Sequence, residues 1–212
     1  MNKLLVLILF VLPLSVKCQF QEGLSFKGKS ELIYFNQLNP ITIYGGELNV
    51  FLSENFSLDY SIAWGENYFH LPASVPITRA LLEMQNEQEE DELDTIKTSS
   101  KLSAFLALLL PEGFTGHINI GNRTYFSPSI KPLCFDFIGK NKMEEGEVPS
   151  WYFSNDCGLE LEHFVTKNWF VSVFGKLRNT FWKAGSSDQK NDFRYGYSFG
   201  VKVGGYLGYY KD

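Results

Sequence analysis

Residues Tyr195–Tyr210 read YGYSFGVKVGGYLGYY. Tyr195, Tyr197, Phe199, Val201, Val203, Leu207 and Tyr209 take the odd positions, with Gly205 as the one interruption. The even positions hold Gly196, Ser198, Gly200, Lys202, Gly204, Tyr206 and Gly208. A β-strand sends successive side chains to opposite faces, so the stretch has one apolar face and one mostly small or polar face. A strand that crosses a bilayer at a tilt needs about 9–11 residues within the hydrocarbon, and more with its ends. Sixteen residues with aromatic groups at both ends fit that length. The stretch predicts the closing strand of a transmembrane β-barrel.

Going back along the chain, the same alternation predicts seven earlier strands, near residues 24–35, 41–52, 56–65, 102–120, 125–138, 151–165 and 169–182. The third is the clearest, with Phe56, Leu58, Tyr60, Ile62 and Trp64 alternating with small or polar residues. The fourth rests on the run LSAFLALLL at 102–110, apolar on both faces. The fifth carries Pro128 and Pro132, which suggest bulges. Tight turns near residues 54, 122 and 167 all contain Asn, which tolerates the left-handed backbone of a hairpin. They fall on one side of an even-stranded barrel, opposite the links at 36–40, 71–100, 139–150 and 183–192. Short turns on one side and longer loops on the other are the pattern of a bacterial outer-membrane barrel. The expected fold is all-β: an eight-stranded antiparallel up-and-down transmembrane barrel with one long, partly helical extracellular loop. That loop, about residues 71–100, is acidic from Glu83 to Asp94, and Ile77, Ala80, Leu81 and Met84 stand at helical spacing in it. An acidic run of this kind is usually a solvated face.

The N-terminus reads as a secretory signal peptide over residues 1–18, with Lys3 ahead of the apolar run 4–14. Val16 and Cys18 stand at the cleavage positions; Cys18 as a lipidated cysteine is the other reading, to which Lys17 is a poor fit. The barrel domain is then residues 19–212. Without Lys3 and Lys17, 17 basic residues face 24 acidic ones, a net charge of −7. That excess of acid argues against nucleic acid as a partner. Cys134 and Cys157 remain, on neighbouring predicted strands at nearly one level. A cross-strand disulfide is one reading of them, two small apolar side chains in the wall the other.

The small face also carries the charges, so it should face the lumen. Lys27, Lys29, Glu31, Glu47, Asp59, Asp156, Glu160, Glu162, Lys176, Arg178 and Lys202 are the expected lumen network. The turns place Lys29 near Glu47, Asp156 opposite Arg178, and Glu160 diagonal to Lys176. Enclosed charges must pair, and eight strands leave an interior that side chains fill, so no open pore is expected. Trp64, Trp151, Trp169, Trp182, Tyr195, Tyr209 and Tyr210 stand at strand ends, where membrane-interface aromatics belong. Trp169, Tyr209 and Tyr210 are expected in the inner girdle, and Tyr34, Tyr68, Phe181 and Tyr195 join Trp64, Trp151 and Trp182 in the outer one. A catalytic function is not expected: His70, with Ser74 or Ser100, and His163 are the residues it would use, but no acid–His–Ser spacing is recognisable. Neither a metal-ligand cluster nor a cofactor motif is read in the sequence.

The signal peptide, the eight amphipathic strands, the Asn turns and the aromatic close YLGYYKD together resemble the small bacterial outer-membrane β-barrel proteins of the OmpA/OmpX type. The resemblance covers the whole mature chain and is specific to an architecture, not to an activity. It implies a location in the bacterial outer membrane, contact with its lipid, and the barrel-assembly machinery as a partner during biogenesis. Lys211 and Asp212 follow Tyr210 here, so the terminal aromatic residue of that family is displaced. The expected role is structural or adhesive, or as an accessory subunit of a larger outer-membrane complex. The rival readings are an outer-membrane lipid-modifying enzyme and a soluble lipocalin-like binder of an apolar ligand.

Overall fold

The computed structural model describes residues 20–35, 39–79, 110–139, 150–183 and 194–210. Ten strands run in chain order: β1 (Phe20–Phe35), β2 (Ile41–Ser53), β3 (Phe56–Gly65), β4 (Tyr68–Pro72), β5 (Gly113–Gly116), β6 (Ile118–Gly121), β7 (Thr124–Ile138), β8 (Ser150–Phe164), β9 (Trp169–Lys183) and β10 (Arg194–Tyr210). Every pairing is antiparallel, and β1 closes on β10 from Phe20↔Tyr210 to Phe35↔Gly196. β4 and β5 both lie between β3 and β7, and β6 continues their line along β7. The three pieces act as one strand, so the wall is a closed eight-stranded barrel. Closure removes the exposed sheet edges on which other chains could pair.

The fourth strand differs from the sequence expectation. A two-residue turn, Glu66-Asn67, follows β3, with Asn67 in the left-handed region at φ 56°. The wall then resumes at once as β4, breaks at Pro72, and resumes as β5 at Gly113. The long segment thus leaves from within the wall, not from a strand end as an extracellular loop. Its described helix, α1 (residues 74–79), is short, tied by Ile77 N–H to Ala73 O at 3.3 Å and Thr78 Oγ1 to Ser74 O at 2.8 Å. Residues 102–109, the body of the expected fourth strand, and the whole acidic run 83–94 lie outside the described residues, as does the signal peptide. Five residues ending in proline are too short to show a period, which is why β4 went unread.

Elsewhere the alternation holds. Tyr197, Phe199, Val201 and Val203 point outward and are about half exposed, while Ser198 and Lys202 between them are buried. The turns at 54–55, 122–123 and 165–168 share one end of the barrel, called here the turn end. Asn122 and Arg123 take φ 39° and 64°, as a tight hairpin requires. The links at 36–40, 66–67, 140–149 and 184–193 share the other, the loop end.

The inward face is not polar throughout. Near the loop end, Ile33, Phe35, Ile41, Ile43, Ile138 and Tyr152 form one buried apolar cluster. Near the turn end, Phe51, Tyr125, Phe164, Phe170 and Tyr206 form another. The charged middle of the lumen lies between two apolar layers.

The inward glycines of β10 have a packing cause. Gly204 is paired with Phe170 across the strands, and a Cβ built there would lie 2.5 Å from the Phe170 ring and 2.6 Å from the Phe26 carbonyl. The ring lies over the glycine and passes its other contacts to Lys27, whose Nζ sits 5.4 Å from the ring centre. Gly204→Val is expected to cost about 1–3 kcal/mol through overpacking. Urea unfolding of the folded barrel measures it, and an unchanged midpoint would contradict this packing.

Candidate functional site

Among the described residues, reactive side chains converge in the lumen. β8 and β9 pair with Asp156 opposite Arg178. The Arg178 fork donates from Nε to Asp156 Oδ1 at 2.7 Å and from Nη2 to Asp156 Oδ2 at 2.5 Å, a bidentate pair. Its Nη1 donates to the Tyr68 hydroxyl, which in turn donates to Asp136 Oδ1 at 2.7 Å. Asp136 also faces Arg178 Nη1 at 3.6 Å, accepts from Ser154 Oγ, and meets His70 Nδ1 at 2.6 Å.

Below this lies a second group. Lys202 donates to Glu47 at 2.9 Å and to Glu160 at 2.5 Å, and Lys27 reaches Glu160 at 3.2 Å and Glu162 at 3.3 Å. Lys131 donates to Glu112 Oε2 at 3.0 Å and faces Glu47 at 3.6 Å. Lys29 donates to Glu31 at 3.1 Å, and Lys176 lies 3.8 Å from Glu31 and 4.9 Å from the centre of the Phe174 ring. Nearer the turn end, Asp59 accepts from Asn49 at 2.6 Å and Thr115 at 2.5 Å, and Ser57 contacts His117 at 3.0 Å. The cavity left among Glu47, Asp59, Lys131, Glu160 and Lys202 is about 10 Å³, room for roughly one water centre. A larger groove, about 800 Å³, lies on the apolar outside over Phe26, Gly28, Gly46, Tyr60 and Val203.

All eleven expected lumen residues are buried in this network, but not all with the expected partners. Lys27, not Lys29, stands opposite Glu47, because β1 and β2 pair two residues away from the sequence-based register. Glu160 is diagonal to Lys176 on the wall yet reaches across the lumen to Lys27 and Lys202. Cys134 faces the lumen and Cys157 the outside; both are free, and no disulfide links them. The cause is a bulge on β7 between Lys131 and Cys134, at Pro132, which reverses the parity of everything after it. Tyr68 is not in an outer girdle but buried against Asp136 and Arg178. Trp64, Trp169 and Tyr195 are more than half exposed on the outside, and Trp151 stacks on Phe135 at 4.5 Å. The side chains of Trp182, Tyr209 and Tyr210 lie outside the described residues.

Five residues of the network went unread in the sequence: Tyr68, His117, Lys131, Asp136 and Glu112. In the sequence, His70 stands out only as the histidine that a catalytic function would use, with Ser74 or Ser100. His70 and Glu112 sit with Cys134 as a potential ligand set: one donor atom from each, all within 4.8 Å of one another. The three residues come from β4, from the residue before β5 and from the β7 bulge, too far apart in sequence to form a motif. The mixed parity around Pro132 was the available clue.

Ser61, His70 and Asp136 also stand in the order of a hydrolytic triad, with Ser61 Oγ 3.0 Å from His70 Nε2. Glu112 disables it. Ser61 gives its proton to Glu112 Oε2 at 2.6 Å, and Nε2 is held 2.6 Å from Glu112 Oε1. A hydroxyl has one proton, so the nucleophile is not directed at its base. His163 is exposed near the turn end beside Thr124 Oγ1 at 3.0 Å, and Ser100 lies outside the described residues.

No family model matches the chain, and no curated protein matches it in sequence. Among solved structures it is similar to the N-terminal β-barrel domain of Pseudomonas aeruginosa OprF, at 13% identity and a TM-score of 0.46, over 88% of this chain and 99% of that one. It is similar to Neisserial surface protein A at 9% identity and a TM-score of 0.45, over 85% of this chain and 96% of that one. Similarity to Ail, the attachment invasion locus protein of Yersinia pestis, is at 8% identity and a TM-score of 0.42, over 89% and 99% of the two chains. The barrel assignment rests on the strand register of this chain itself.

Proposed function

We propose that the chain is a bacterial outer-membrane β-barrel protein with a closed lumen and a structural, adhesive or accessory-subunit role at the cell surface. One observation carries this reading: the outside of the wall is apolar around its whole circumference, while the charges are enclosed. Leu24, Ile130, Leu159, Leu177 and Val203, on five different strands, are all outward and exposed. Soluble monomers rarely expose contiguous apolar surface beyond a few hundred Å². A soluble ligand-binding barrel needs the reverse arrangement, an apolar interior with room for its ligand. The lipid of the outer membrane is the partner that this outside suits, and the assembly machinery the one its insertion needs. Among the described residues, apolar layers lie above and below the charges, and this supports a lumen closed to ions.

The test is to fold residues 19–212 in detergent and compare gel mobility with and without boiling, then record from planar bilayers. A heat-dependent mobility shift without stable conductance is the expected result. Folding in plain buffer with no shift would overturn the membrane reading, and a stable conductance would overturn the closed lumen.

A further inference from the structure

We infer that His70, Glu112 and Cys134 form a buried binding site for a divalent transition-metal ion of the zinc class, enclosed in the lumen as the barrel folds. Imidazole, thiolate and carboxylate together are a ligand set that zinc accepts, at about 2.0–2.3 Å from each donor. Three such donors around one ion stand roughly 3.3–3.8 Å from one another. The atoms here already lie within 4.8 Å, so small side-chain shifts suffice.

Four further observations point to a cation. Glu112 Oε1 is buried with no hydrogen-bond partner and lies 2.6 Å from His70 Nε2, in the midst of the three residues. A carboxylate only accepts, so a positive centre must lie between these two atoms: a proton, or a metal ion that takes the Nε2 lone pair. On its other side, His70 Nδ1 is held by Asp136 at 2.6 Å, and Asp136 is itself fixed by Tyr68 and Ser154. That is the carboxylate–histidine support which orients a ligating imidazole. The β7 bulge turns Cys134 inward, where unbroken alternation would send it out. Finally, the described lumen buries eight Asp and Glu against six Lys and Arg, so it has room for added positive charge. On binding, the ion replaces a thiol proton and any proton on Nε2, and both leave to solvent as the lumen closes.

The experiment folds the full mature chain from urea in detergent with Co²⁺ or Zn²⁺ present, removes loose metal with a chelator, and measures retained ion and absorbance. One ion per barrel is expected, with a thiolate-to-cobalt charge-transfer band. Cys134→Ser should lose the band and retention while keeping its heat-dependent mobility shift, since the change is near-isosteric. Asp136→Asn should weaken retention roughly 10–100-fold. The proposal is overturned if the folded protein retains no ion. It is overturned too if ion is retained equally in Cys134→Ser, which would place it away from this site, on exposed groups such as His163. A proton alone would then occupy the position between His70 and Glu112.

Discussion

Arg178→Met is expected to destabilise the barrel by about 3–5 kcal/mol, the range for removing one partner of a buried ion pair. Arg178 is almost wholly buried, and its guanidinium serves two carboxylates and one hydroxyl at once. Methionine roughly fills the stem but leaves Asp136 and Asp156 enclosed with their main cation gone. Asp156 loses both of its donors, and Asp136 keeps only His70 as a charged neighbour beside the neutral donors Tyr68 and Ser154. The cost therefore lies in the orphaned charges more than in the lost contacts. Adding Asp136→Asn and Asp156→Asn to Arg178→Met should restore much of the loss, which separates the two. Urea titrations followed by tryptophan fluorescence give the comparison. A loss below about 1 kcal/mol for the single variant would mean that the carboxylates reach water and the lumen is not sealed.

The second large effect lies on the other side of the wall. Val201 is 54% exposed near the middle of β10, between Val173 on β9 and Ser30 on β1. In lipid vesicles, Val201→Arg is expected to cost about 2–4 kcal/mol, because a guanidinium at mid-bilayer depth loses its hydration. At an exposed site of a water-soluble protein the same change usually stays within about 0.5 kcal/mol. The sign and size of this one substitution therefore separate a lipid-facing wall from a solvated one. Val201→Thr, which keeps shape and adds only a hydroxyl, should be much milder. Equal, small effects for both would place this face in water.

The barrel was legible where strands are long and turns short. β3, β9 and β10 each show more than four alternations, and the tight turn at 166–168 was enough to set Asp156 against Arg178. The longer link at 36–40 left the β1–β2 register open, which is why Lys29 stood in for Lys27. Alternation itself carries Ile33 and Phe35 inward with Lys29 and Glu31, and Ile41 and Ile43 with Glu47, so the apolar cap over the charges follows the same period. What was not legible gathers at two irregularities. The bulge at Pro132 reverses parity and hides Cys134 and Asp136 from any period-two reading. The break after Pro72 hides His70 and Glu112, because the apolar run at 102–110 outweighed the five residues of β4. Both breaks of the local rule fall on the His70 site, where a departure from ideal geometry is most expected to have a purpose.

The interruption of the fourth strand is commensurate with the wall around it. His70 pairs with Ala63 and Gly113 with Asp59, so along β3 Pro72 falls level with Ser61 and only Tyr60 separates the two broken ends. One residue in place of 73–112 would rejoin the strand without moving a neighbour. The wall is thus complete in itself, and those forty positions are a detour taken from a finished stave. The last residue of the detour is Glu112, held by its N–H to the Asp59 carbonyl at 2.8 Å. A barrel that went straight across would leave Lys131 without its nearest carboxylate and His70 facing only one. The excursion, whatever else it does, is the route by which the interior acquires its eighth acid.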